Sequence, residues 1–217
     1  GQVVKAAGTE PEMLQQLLSF LLRYSLVVVL GLAIMVFIFY PMLVSLTVKK
    51  LSWKRFSAGM RDAQLTAFST SSSVATLPVT MKSVNEKLGV NSRTSSFVLP
   101  IGATVNMDGT SMYQAIAVVA LAQFHMVELE WSQQAVIVLT ATLASIGAAA
   151  VPSAGLVLMI IVLESVGLNP AWIALIFPVD RILDMCRTVV NVTGDGAVSS
   201  MIAASEGELN PDATAAV

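Results

Sequence analysis

The chain has 217 residues, 55% of them hydrophobic and only 12% charged, with a formal net charge of −2. Ordinary soluble domains carry roughly 25% charged residues, so this deficit argues against a solvated globular domain and for a membrane protein. No basic run offers a footprint for nucleic acid, and the single cysteine, Cys186, excludes an intramolecular disulfide and a thiolate metal centre.

Residues 1–24 lack the basic start and apolar run of a signal peptide and are read as an extramembrane segment interior to a longer protein. Residues 25–48, SLVVVLGLAIMVFIFYPMLVSLTV, carry no charge and are bracketed by Arg23 and Lys49–Lys50. At roughly 1.5 Å per residue they cover a ~30 Å hydrocarbon core. Residues 25–50 are therefore expected to form a transmembrane helix, with Pro41 as a tolerated kink.

From 51 to 90 the sequence STSSSVATLP interrupts an uncharged run. Lys49, Lys50, Lys54, Arg55 and Arg61 precede the run; Lys82, Lys87 and Arg93 follow it. Positive charge marks the cytoplasmic side, so both ends lie inside and the segment turns at its serines. This predicts a first re-entrant hairpin. Residues 91–127 are apolar except at NMDGT, 106–110, and read as a transmembrane helix broken at its middle. Residues 128–167 centre on SIGAAAVPSAG, rich in small residues with Pro152 as breaker, between acidic flanks at Glu128, Glu130 and Glu164. They predict a second hairpin, entering from outside.

Residues 168–204 contain RILDMCRTVVNVTGD, which puts Asp184, Arg187, Thr188, Asn191 and Asp195 on one helical stripe. This is a polar transmembrane helix, and the polar stretch 205–217 that follows is expected to be disordered. The fold class is thus an all-α membrane protein: one transmembrane helix, then an inverted repeat of a re-entrant helical hairpin plus a broken or polar transmembrane helix. Inverted repeats with irregular backbone at mid-membrane mark secondary transporters, with the site where the breaks meet.

Ionisable groups at the bilayer centre cost about 2.5–3.5 kcal/mol each on insertion scales, so Asp108, Asp184, Arg187 and Asp195 need partners. Three carboxylates and one guanidinium leave a local charge of −2, which internal pairing does not cancel. Bound cations do. Asp108, Asp195, Asn106, Asn191 and freed carbonyls supply the hard oxygens that an alkali-metal ion prefers. Arg187 offers a planar fork for a carboxylate. Asp184 either pairs with Arg187 at i,i+3 or holds a substrate ammonium. The hairpin tips add backbone N–H groups that favour anions. Together these suit a small zwitterion with an extra carboxylate.

The motifs TSSSVATLPVTM, LPIGATVNMDGTSMYQ, ASIGAAAVPSAG and DMCRTVVNVTGD, in this order, resemble the dicarboxylate/amino acid:cation symporter family, which includes the glutamate transporters. The likeness runs from about residue 25 to 203 and identifies the chain as a C-terminal transport core. It implies that a scaffold lies upstream and assembles the protein as a homotrimer in the cell membrane. It implies an elevator mechanism, with the outer hairpin as gate and sodium as coupling ion, and no other cofactor.

By the same resemblance Asp184 binds the substrate amino group and Arg187 its side-chain carboxylate. Thr188 and Asn191 hold or orient the α-carboxylate, Thr110 adds a hydroxyl, and Ser73, Val151 and Gly155 contribute from the tips. Gly102, Asn106, Asn191 and Asp195 resemble one sodium site. Thr104, Met107, Ser145, Ile146 and Ala148 resemble a second, and Asp108 with Asn106 half of a third. The sequence departs from the family pattern at Ser71 and Met185, where relatives place a further arginine. It departs again at Gln114, where animal members carry a proton-accepting glutamate, and at Ala150, in place of a tip glycine.

Asp180 and Arg181 are expected to form a helix-start ion pair, His125 to be interfacial, and Cys186 to pack facing away from Arg187. Trp53, Trp131 and Trp172 stand near predicted span ends as anchors. No nucleophile–base pair suggests an enzyme. The function expected is sodium-coupled symport of L-aspartate or L-glutamate. A proton- or sodium-coupled C4-dicarboxylate symporter is the alternative within the class, and an ion channel the alternative outside it.

Overall fold

The computed structural model describes residues 11–148 and 151–214, and its regular elements there are all helical. Helix α1 (Pro11–Ile34) runs through a π-helical turn (Met35–Phe39) into α2 (Tyr40–Thr47). The helix is thus already formed at Pro11, upstream of residue 25. Phe20, Tyr24, Val28, Leu32 and Val36 recur every four residues and turn one continuous stripe onto the rest of the protein. Arg23, which bracketed the expected span, is exposed and does not interrupt that stripe. Among the described residues this is the one helix long and apolar enough to cross a membrane, Glu12–Thr47.

The π turn answers Pro41, which has no N–H to give and whose ring crowds the preceding turn. Tyr40 donates its N–H to Met35 O, five residues back, and the extra residue in the turn swings Tyr40 inward, where it is buried.

Helices α3 (Trp53–Thr70) and α4 (Ser73–Ser83) pack against each other across a two-residue connection, Ser71–Ser72. Ser71 adopts the left-handed conformation at φ 51°, and Ser72 caps α4 by accepting from the Ala75 N–H at 3.2 Å. A second π turn, Val84–Leu88, leads to α5 (Ser92–Val105), capped by Asn91 Oδ1, which accepts from the Arg93 N–H at 2.8 Å. The helix then breaks at Asn106 and Met107 and resumes as α6 (Asp108–Phe124), with Asp108 in its first turn, where the helix dipole favours a carboxylate. Helix α7 (Trp131–Ile146) opens with a reciprocal Glu130–Gln133 capping box, and α8 (Ala154–Ser165) packs back along it.

After the turn Pro170–Trp172, helix α9 (Ile173–Ser205) extends for 33 residues, about 50 Å at the standard rise. It is the hub, packing against α1 through α6 and α8. Lipid tails are as apolar as leucine, so helices in a bilayer associate through close contact of small residues. Gly194, Gly196, Ala197, Ser199, Ser200 and Ala203 are accordingly buried on α9. At Gly109 the backbone of α6 crosses α9: a Cβ there would collide with Arg187 O and stand 3.0 Å from Val190 Cβ. Large apolar side chains such as Leu26, Leu30, Phe37, Leu46, Phe97, Leu139 and Phe177 point outward along whole helices. Exposure on that scale marks a surface made for lipid or protein.

The expectation of a disordered tail is corrected over residues 205–214. Leu209 is buried and forms an antiparallel bridge with Val90, and Pro211–Thr214 make a 3-10 turn. Its polar composition hid one buried apolar residue, Leu209, and a set of backbone hydrogen bonds. Residues 1–10, 149–150 and 215–217, and with them the departure noted at Ala150, lie outside the described residues.

The substitution Gly109→Ala is expected to push α6 off α9, an overpacking cost of about 1–3 kcal/mol. Thermal melting of the purified protein checks this; an unchanged melting temperature would mean that the two backbones do not meet there.

Candidate functional site

Arg187, near the middle of α9, is 1% exposed. Its Nη2 donates to Asp184 Oδ1 at 2.7 Å and to Asp180 Oδ1 at 3.1 Å. Its guanidinium carbon stands 3.9 Å from the centre of the Tyr113 ring, and the Tyr113 hydroxyl donates to Asp180 Oδ1 at 2.8 Å. Positions 180, 184 and 187 share one helix face, so the cluster follows from the helix period alone. The remaining guanidinium nitrogens, Nε and Nη1, are buried without a hydrogen-bond partner among the described residues.

The pairing of Asp180 with Arg181 is corrected. Asp180 faces inward to Arg187, while the half-exposed Arg181 lies 3.9 Å from Asp184 Oδ2. Successive residues on a helix diverge by about 100°, so neighbours in sequence do not face each other.

The connection between α7 and α8 closes onto this cluster. Ser153, left-handed at φ 62°, donates its N–H to Asp184 Oδ2 at 2.9 Å. Gln114 Nε2 donates to Gly155 O at 2.8 Å, leaving Gln114 Oε1 buried and unpartnered among the described residues. A Cβ on Gly155 would lie 2.6 Å from Thr110 Cγ2 and 2.9 Å from Arg187 Nη1. Only a glycine lets the tip sit this close to the guanidinium. The pocket therefore offers two cationic donors and one amide acceptor that the described residues leave unused.

One turn further along α9, Asn191 bridges the break in the α5–α6 helix. Its Oδ1 accepts the Gly109 N–H at 2.8 Å, and its Nδ2 donates to Met107 Sδ at 3.2 Å and Thr110 Oγ1 at 3.4 Å. Asn106 Nδ2 donates to Asp195 Oδ1 at 2.9 Å and to Asn191 O at 3.2 Å. A Cβ on Gly102 would stand 2.5 Å from Asp195 Oδ1. Gly102, Asn106, Asn191 and Asp195, grouped from the sequence, are thus brought together. Their carboxylate, carbonyl and amide oxygens form a hard donor set.

Asp108 accepts the Tyr40 hydroxyl, and Tyr40 Oη and Asn106 Nδ2 each stand 2.7 Å from where a Cβ on Gly194 would be. Tyr40, Asn106, Asp108 and Asp195 therefore converge at the helix break. Counting Asp180, four aspartates face the buried Arg187 and the half-exposed Arg181 across these clusters, which leaves a formal charge of −2.

Other expected residues stand apart from these hydrogen bonds. Thr188 is buried, with its hydroxyl on Asp184 O within its own helix. Ser73 is buried at the start of α4, and Val151 is more than half exposed. Thr104 bonds Ile101 O and Ser145 bonds Thr142 O; Ala148 is buried, Ile146 is exposed, and Met107 turns its sulfur to Asn191. The grouping of 104 and 107 with 145, 146 and 148 thus has no direct hydrogen bond among the described residues. Cys186 is half-buried against the core, and His125 stacks on Trp172 at 3.7 Å.

Sequence reasoning missed Asp180, Tyr113 and Tyr40. Asp180 was detectable, since it stands four residues before Asp184 on the same stripe. Tyr113, three residues after Thr110, shares a face of α6 with it. Tyr40 beside Pro41 carried only the hint of a polar ring next to a helix distortion.

The family model described as sodium:dicarboxylate symporter family matches residues 3–205. Excitatory amino acid transporter 1 of Homo sapiens is 48% identical over 182 residues, covering 84% of this chain and 33% of that protein. An excitatory amino acid transporter of Caenorhabditis elegans is 47% identical over 182 residues, 84% of this chain and 36% of that one. Excitatory amino acid transporter 3 of Oryctolagus cuniculus is 51% identical over 172 residues, 79% of this chain and 33% of its own length. The chain spans about a third of the length of these curated relatives.

Gly155→Ala is expected to hold the α7–α8 tip away from Arg187 and to free the Ser153 amide from Asp184. Losing that hydrogen bond corresponds to about fivefold faster exchange of tip amides. Hydrogen exchange measured by mass spectrometry reads it, and unchanged exchange at the tip would contradict the contact.

Proposed function

Because this chain belongs to the sodium:dicarboxylate symporter family, we infer that it forms the transport core of a sodium-coupled symporter for acidic amino acids, L-aspartate or L-glutamate. One observation carries the choice of substrate: among the described residues, the buried guanidinium of Arg187 keeps Nε and Nη1 without partners beside the α7–α8 tip. Leaving buried charged donors unmade is costly, and a carboxylate satisfies both in two-point contact.

In this reading the substrate side-chain carboxylate lies on Arg187 with Thr110 beside it, and its amino group takes Asp184. The α-carboxylate falls to Asn191, Thr188 and the backbone around Ser73, Val151 and Gly155. Sodium is cargo as much as substrate is. One ion is held by Gly102, Asn106, Asn191 and Asp195, a second by Thr104, Met107, Ser145, Ile146 and Ala148, and a third by Asp108, Asn106 and Tyr40. An acidic amino acid brings a further net charge of −1 to a site that is already net negative, so its entry and that of cations favour each other. That mutual gain is coupling.

The helical pairs α3–α4 and α7–α8 act as re-entrant hairpins of an inverted repeat in a cell membrane. The α7–α8 tip is the gate, because its backbone closes over Asp184 and Arg187. The core moves as an elevator against a trimeric scaffold formed by the rest of the protein. A C4-dicarboxylate cargo is the second reading, favoured by the dicarboxylate in the family description. Asp184 separates the two, since a substrate without an amine gains nothing from it.

Sodium-dependent binding of labelled aspartate to the full-length protein tests the assignment. Arg187→Cys is expected to lose aspartate binding, and succinate is expected to compete poorly. Wild-type aspartate affinity in the variant would overturn the role of Arg187, and strong succinate competition would favour the dicarboxylate reading. Asp195→Asn is expected to shift the sodium dependence of binding to higher concentration, by about tenfold for each 1.4 kcal/mol of cation affinity lost. An unmoved sodium dependence would remove Asp195 from the cation site.

A further inference from the structure

The segment that follows α9 does more than terminate it. Glu208 donates its N–H to Ala203 O at 2.7 Å, folding the chain back across the end of α9. From there residues 208–211 reach three other places. The first is the link between the second π turn and α5: Asn91 donates its N–H to Glu208 O at 3.0 Å, and Asn210 donates its N–H to Gly89 O at 2.8 Å. These bonds flank the Val90–Leu209 bridge, whose two side chains are buried. The second is the first turn of α5, where the Thr94 hydroxyl donates to Glu208 Oε2 and Arg93 stands 3.9 Å from Glu208 Oε1. The third is the first turn of α3, where Arg55 donates to Pro211 O.

These anchor points have a common meaning. Residue 55 opens the α3–α4 pair, and residues 89–91 close it. The segment therefore ties both feet of one helical pair to the end of the central helix. Gly89 makes the fit possible: its φ of +78° suits glycine, and a Cβ there would collide with the Asn210 carbonyl and Pro211 Cα. The α7–α8 pair has no comparable tie among the described residues; its outer end is closed by the Glu130–Gln133 box within its own helix.

We propose that residues 206–212 are a strap that clamps both feet of the α3–α4 pair to α9, so that this pair moves with α9 and opens only when the strap undocks. The strap makes the two helical pairs mechanically unequal: the feet of α3–α4 are held to α9, and those of α7–α8 have no such tie among the described residues. The inference rests on the contacts of residues 53–94 and 203–211 and not on the identity of the cargo.

Hydrogen exchange by mass spectrometry on the full-length protein in lipid nanodiscs tests it without any transport readout. Gly89→Ala is expected to speed amide exchange across 53–83 by about fivefold or more, the loss of at least one backbone hydrogen bond, with 131–165 unchanged. Glu208→Ala, which removes the Thr94 and Arg93 contacts but no backbone bond, is expected to give a smaller increase in the same region. Glu206→Ala, at an exposed side chain of the strap that makes none of the contacts named above, is expected to change nothing. Faster exchange confined to 206–214 would overturn the proposal, as would an equal rise in both helical pairs in the Glu208 variant. If Gly89→Ala does not fold, Glu208→Ala alone decides, and unchanged exchange across 53–83 then refutes the strap.

Discussion

Arg187 shared between Asp180 and Asp184 is the interaction on which the rest of the structure turns. A single guanidinium inside an apolar bundle is tolerable only with partners, and here it has two carboxylates and the face of Tyr113. Those partners occupy Nη2 and one ring face, so the other edge of the fork stays open toward the α7–α8 tip. Arg187 is thereby positioned by the protein and left incompletely satisfied by it. A group that is both fixed and unsatisfied makes a binding site, because the ligand recovers the desolvation already incurred and little order remains to be imposed.

The negative excess extends beyond this cluster to Asp195 and Asp108 at the break between α5 and α6. Helix breaks at membrane depth expose backbone groups that lipid does not satisfy, and this chain meets them with side chains of α9. Asn191 takes the Gly109 N–H, and Asp184 takes the Ser153 N–H. The residues that satisfy the broken backbone are the ones assigned to hold cargo. On the proposed assignment, substrate and cation contacts compete with, or complete, bonds that keep the irregular segments in place. Binding and gating then use the same set of hydrogen bonds.

Departures from the α-helix recur where the chain needs a side chain re-aimed. The π turn before Tyr40 brings its hydroxyl to Asp108, and the π turn at 84–88 leads to the left-handed Gly89 on which residues 208–211 dock. The first inserts a residue into a helix that continues, whereas the second ends its helix at Gly89. Gln114, singled out for its side chain, acts through a similar economy: its amide holds the Gly155 carbonyl, so the residue supports the tip.

Much of this architecture was legible in the sequence because lipid imposes length and charge rules that a linear reading can apply. The uncharged run at 25–48, the serine turn, the NMDGT break, the Pro152 region and the 184–195 stripe each announced themselves by composition or by helical period. The stripe also grouped Asp184, Arg187, Asn191 and Asp195, since residues on one helix need no tertiary information to share a face. What the sequence left open were contacts between elements. Tyr113 lies 67 positions from Asp180, and Tyr40 lies 68 from Asp108. Leu209 finds Val90 across the chain, so a polar tail expected to be disordered is held in place. Spacing within a helix is fixed by the 3.6-residue turn, whereas the meeting of two helices depends on crossing angle and close approach. Only the folded backbone supplies those.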